Sequence, residues 1–125
     1  MSKHKTLILK KSKWTCGSPL TNQNPENCLG SGLVKLLNIY GEMCCLGQFC
    51  LQIDTTLTEE DIKNKMMPSG LKKDIPLFTT ENHNNTLLSK NLAKINDDVN
   101  TTVDEKITDI RKELKKAKIQ LKVVD

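Results

Sequence analysis

The stretch TTVDEKITDIRKELKKAKIQL, Thr101 to Leu121, constrains the fold more than any other part of this chain. Thr102 and Glu105 form a capping box, in which hydroxyl and carboxylate each satisfy a backbone N–H of the first helical turn. Val103, Ile107, Ile110, Leu114, Ala117 and Leu121 then step by four and three residues alternately. That spacing predicts a helix over 103–117 with one narrow apolar seam. Acids lie early and lysines late, as the helix dipole favours. A seam this narrow suits a single partner helix. It fits against the chain's own helix containing Leu88, Leu92 and Ile95. It equally fits a second copy, with Lys106, Asp109, Arg111, Lys112, Glu113 and Lys116 flanking, which makes the protein a homodimer. Beyond the helix, Ile119, Leu121 and Val123 alternate with Gln120, Lys122 and Val124. That end reads either as more helix or as a closing strand.

The rest of the chain supplies shorter elements. KTLILKK, Lys5 to Lys11, reads as a strand bounded by lysines. Residues 16–32 are dense in Gly, Pro, Ser and Asn and read as a long loop. Leu33–Leu37 reads as a second strand, followed by a turn and a further apolar run. Thr58 with Glu59, Glu60 and Asp61 starts a short helix that Pro68 and Gly70 stop. Residues 67–85 form an irregular connection. Leu87, Leu88, Leu92 and Ile95 share a helical face over Thr86–Asn96. The fold class expected is α+β in a single domain of 125 residues. Strands Thr6–Lys10, Leu33–Leu37 and Ile119–Val124 make a small antiparallel sheet. Two to three helices, Thr58–Met66, Thr86–Asn96 and Val103–Ala117, cover one face.

Three of the five cysteines crowd into YGEMCCLGQFCLQI. Zinc sites pair their ligands at close, favoured spacings. Here four residues separate Cys45 from Cys50, and eleven separate Cys16 from Cys28. On a strand, Cys44 and Cys45 would face opposite ways. A redox pair would favour C-x-x-C, which is absent. Cys44, Cys45 and Cys50 therefore read as small buried hydrophobes among Met43, Leu46, Phe49 and Leu51. No metal and no cofactor is expected.

Net charge is +4, carried by 18 lysines and Arg111 against 15 acids. Lys3, Lys5, Lys10, Lys11 and Lys13 all precede the first acid, Glu26. Such a surface attracts polyanions or acidic partners, or simply solvates an edge strand. GSG, Gly30 to Gly32, lacks the phosphate-loop pattern and reads as a turn or an anion nest. No leader or membrane-spanning stretch is visible, so a cytoplasmic protein is expected.

GSGLVKLLNIYGEMCCLGQFC, with Trp14 before it, resembles the central block of small bacteriophage accessory proteins. Those carry a Trp and a G.G.L segment, a CCLG..C block, an L..LND helix and an EI..I helix. Gly30, Gly32, Cys44, Cys45, Leu46, Gly47 and Cys50 stand in the first blocks. Leu92, Ala93, Ile95, Asn96 and Asp97 stand in the next, and Lys106, Ile107 and Ile110 in the last. The resemblance covers Trp14–Cys50 and Leu92–Arg111. It implies a phage accessory protein in the host cytoplasm and supplies no catalytic residue. The expectation is a non-enzymatic counter-defence protein that sequesters a small anionic nucleotide signal. Trp14 or Tyr40 would stack on a base, and Lys35, Arg111 or the Ser31 backbone would hold phosphate. The alternative is a protein-interaction inhibitor of a host defence enzyme or complex. Nucleic-acid binding is disfavoured by the single arginine and four aromatics.

Overall fold

Strand β1 (Lys5–Lys10) pairs with strand β2 (Ile119–Val124), the two ends of the chain meeting in register Leu7↔Leu121 and Leu9↔Val123. A computed structural model describes residues 5–16, 36–37, 41–65, 67–80, 82, 84–98 and 100–125. Between the strands run α1 (Cys45–Ile53), α2 (Glu59–Ile62), α3 (Leu87–Asp97) and α4 (Val103–Lys116). The chain is a single small α+β domain. Among the described residues no helix is long and apolar enough to cross a membrane.

The sheet is parallel, not antiparallel as expected. The expectation relied on Leu33–Leu37 as a neighbouring strand. The partner instead arrives from the far end, after a crossover that carries every described helix, and a crossover is what parallel pairing requires. Of Leu33–Leu37, the structure describes Leu36 and Leu37. Leu37 makes an isolated parallel bridge to Lys63. That bridge shortens the predicted Thr58–Met66 helix to α2. Asn64 turns to φ 63° and donates its N–H to the Leu37 carbonyl at 2.9 Å.

CLGQFC, part of the further apolar run, is the first part of α1. Cys44 is its N-cap and Cys45 its first residue, so the alternation argued for a strand does not apply. All six residues from Cys45 to Cys50 are buried, as in a helix apolar on every side. Phe49 stacks with Phe78 at 6.5 Å between ring centroids. Gly47 sits where α1 touches the Leu36 backbone. A Cβ there would lie 2.0 Å from the Leu36 carbonyl oxygen.

One polar centre ties these parts together. Asn96, on α3, is 1% exposed. Its Oδ1 accepts the Trp14 indole N–H at 2.7 Å and the Cys45 backbone N–H at 3.0 Å. Its Nδ2 donates to the Thr15 carbonyl at 3.2 Å. α4 follows as predicted, with Thr102 and Glu105 exchanging capping bonds of 2.9 and 3.1 Å. Ile110 and Leu114 of its seam are fully buried in the core of the same chain. The middle of the seam is therefore occupied by this chain's own core. Lys106, read as a flanking surface charge, is buried too. Its ammonium donates to the carbonyls of Asp98 and Thr101 and to the Thr101 hydroxyl. Burial holds its pKa below the ordinary lysine value. Leu87, predicted to share the α3 core face, is instead 71% exposed at the first helical position.

Candidate functional site

α4 ends tightly. The Ala117 N–H bonds to the Leu114 carbonyl and the Lys118 N–H to that of Lys115, each at 2.9 Å. Lys118 takes φ 64°, a left-handed conformation that costs a non-glycine residue roughly 1 kcal/mol. The turn sends the chain back along α4 as β2. Helix and strand thus form two walls of a groove of about 550 Å³, lined by Arg111, Lys115, Lys118, Ile119, Gln120 and Leu121.

The groove is cationic over an apolar floor. Arg111 and Lys115 are one helical turn apart and exposed, and Lys118 is exposed at the turn. Among the described residues none of the three is in an ion pair. The nearby Glu113 is drawn away from them. The Asn91 amide donates to it at 2.8 Å and Lys116 bonds it at 3.2 Å. The Asn91 bond foremost, with Lys116, holds its carboxyl below the usual range. Ile119 and Leu121 supply the floor. Arg111 Nη2 donates to the Leu121 carbonyl at 3.4 Å. A smaller cavity of about 290 Å³ near α2 mixes acids with lysines. Its Lys73 is already paired with Asp54 at 3.1 Å.

Of the five residues predicted to bind ligand, Trp14 and Arg111 are described, and Arg111 lines the groove. Trp14 is half-buried and its N–H donates to Asn96. Ser31, Lys35 and Tyr40, with the Gly30–Gly32 turn and most of the 16–32 loop, lie outside the described residues. Lys115, Lys118, Ile119, Gln120 and Leu121 were not anticipated as a site. The signal for them is the cation run of RKELKKAK directly abutting the alternation of IQLKV.

Cys16, Cys44, Cys45 and Cys50 are buried thiols. Burial pushes Cys44 up to about 12 and raises Cys45 and Cys50 as well. Among the described residues no group of three or more His, Cys, Asp or Glu is arranged to hold a metal. No family model, curated protein or solved structure matches the chain.

Proposed function

We propose that this is a non-enzymatic binding protein that acts by holding an anionic target in the groove between α4 and β2. The observation that carries this reading is the set of three cations without ion-pair partners among the described residues, Arg111, Lys115 and Lys118, around an apolar floor. A cavity of this size accommodates a nucleotide-sized molecule. Phosphates would meet the cations, and a base would lie on Ile119 and Leu121. The buried thiols, Cys44, Cys45 and Cys50, are poor nucleophiles because only the thiolate reacts. The resemblance to phage accessory proteins gives this binding a purpose: sequestration, in the host cytoplasm, of a nucleotide signal used in defence.

Calorimetry with cyclic dinucleotides, cyclic trinucleotides and ADP-ribose cycles tests the reading. Binding tighter than about 10 μM is expected for at least one class. It should be lost in the combined Arg111→Ala, Lys115→Ala, Lys118→Ala variant. Binding that survives those three changes would move the site elsewhere.

A second reading, inhibition of a host protein, is favoured by one feature of the same groove. One wall of it is the outer edge of a β-strand, which offers backbone groups to a polypeptide.

A further inference from the structure

The two edges of the sheet differ. On the β1 side, two glutamines of α1 stand in for a neighbouring strand. Gln52 accepts the Ile8 N–H at 2.7 Å and donates to the Ile8 carbonyl at 2.7 Å. Gln48, one turn earlier, does the same for Lys10 at 2.7 and 3.1 Å. That edge is occupied at Ile8 and Lys10. The same bonds fix the direction of every backbone group in the sheet. Ile8 and Lys10 point away from β2, so Leu7 and Leu9 point toward it. In a parallel ladder with Leu7↔Leu121, Leu7 then bonds the residues flanking Leu121. Ile119, Leu121 and Val123 must therefore direct their N–H and C=O groups outward, into the groove. Among the described residues their one side-chain partner is Arg111, on the Leu121 carbonyl at 3.4 Å, a distance at the weak limit for such a bond.

We propose that the target in this groove is an extended acidic polypeptide segment that joins β2 as a third strand. This rests on the groove being the binding site and takes up the second reading of its target, a protein. Strand addition takes its affinity from the main-chain ladder and its selectivity from alternate side chains. On one face of the added strand, every second side chain points toward α4 and meets Arg111 and Lys115, with Lys118 at the end. Carboxylates at those positions complement all three cations. An incoming backbone N–H replaces Arg111 on the Leu121 carbonyl and frees the guanidinium for a carboxylate, a stronger, charge-assisted bond. A second copy is a poor occupant. Two β2 edges paired about a two-fold would bring these cations against their own duplicates.

The test uses the full chain and fluorescein-labelled peptides of about ten residues, a length that spans a strand. One peptide alternates Glu and Thr, and another alternates Lys and Thr. Two further Glu/Thr peptides carry backbone N-methyl groups at alternate residues, one in each register. Fluorescence anisotropy should show the Glu/Thr peptide binding on the order of 100 μM or tighter, and the Lys/Thr peptide at least about tenfold weaker. One N-methyl register should abolish binding and the other should leave it intact. By NMR, amide exchange at Leu121 and Val123 should slow on binding, with Ile8 and Lys10 unchanged. Lys115→Glu with Lys118→Glu, both exposed, should remove the binding while the protein stays folded. Equal tolerance of both N-methyl registers would overturn strand addition. If cyclic nucleotides bind and the Glu/Thr peptide does not, the groove remains the site and the acidic segment is wrong. If neither binds, both readings fall.

Discussion

The indole N–H of Trp14 and the side-chain oxygen of Asn96 meet at 2.7 Å across 82 residues of chain. The same oxygen holds the first backbone N–H of α1, at Cys45. One buried amide therefore joins the segment after β1, the start of α1 and the end of α3.

Asn96→Leu should destabilise the protein by about 2–4 kcal/mol, because it leaves the Trp14 N–H, the Cys45 N–H and the Thr15 carbonyl buried and unpaired. Urea unfolding followed by the fluorescence of Trp14, the single tryptophan, measures this. A loss below about 0.5 kcal/mol, the scale of an ordinary surface change, would mean water replaces the amide without penalty.

Gly47→Ala sets helix propensity against packing. Propensity alone would make alanine better by about 1 kcal/mol in a helix interior. The added methyl, however, collides with the Leu36 carbonyl at 2.0 Å. Packing should win, with a net destabilisation of about 1–3 kcal/mol. Gly70→Ala is the control, since its Cβ would meet only the Lys65 side chain at 3.9 Å. Thermal melts of both variants should separate clearly.

Stability should fall at alkaline pH. A thiol whose folded pKa lies above its unfolded value stays protonated in the native state while the unfolded chain ionises. Cys44, at about 12 against the usual 9.0, loses its contribution through that interval as pH rises. Cys45 and Cys50 act in the same direction. Buried Lys106, with its pKa lowered, has the opposite sign, adding stability as pH rises toward the unfolded lysine value. Each thiol contributes a slope of about 1.4 kcal/mol per pH unit within its window. Denaturant midpoints measured from pH 8 to 11 should decline beyond pH 9, and less steeply in Cys44→Ala.

Leu114→Glu should abolish folding, because Leu114 is fully buried and an unpaired carboxylate there is very costly. Val103→Glu, at a position 38% exposed, should leave the circular dichroism spectrum unchanged. Light scattering on the second variant reports the oligomeric state without disturbing the core. A folded dimer of Leu114→Glu would contradict the burial described above.

Helix α4 was legible in sequence, down to its capping box, because both signals are local, although Leu121, counted in its seam, lies on β2. What faces it was not. Period three-four states that Ile110 and Leu114 share a stripe, but the stripe looks the same against α3 or against another molecule. Strand β2 was legible as alternation, yet its direction depends on β1 at the other end of the chain. No local pattern encodes that pairing. Lys106 misled for a related reason. A lysine beside a seam is usually solvated, and here the loop carbonyls of Asp98 and Thr101 that accept its protons come from the turn between α3 and α4. Arg111 was named in sequence as a phosphate-holding candidate. Its neighbours Lys115 and Lys118 were absorbed into the dipole argument, which explains why lysines end a helix but not what they surround.

Gln48 and Gln52 have a consequence beyond holding β1. A sheet with two free edges can grow from both, so one added strand exposes a place for the next. Here growth has a single direction, outward from β2, because Gln48 and Gln52 hold the β1 edge. A partner strand laid on β2 would find this protein at its back and no continuation through it. Mixed with a β-rich polymer, such a molecule should sit at an end and stop it, a terminator rather than a link.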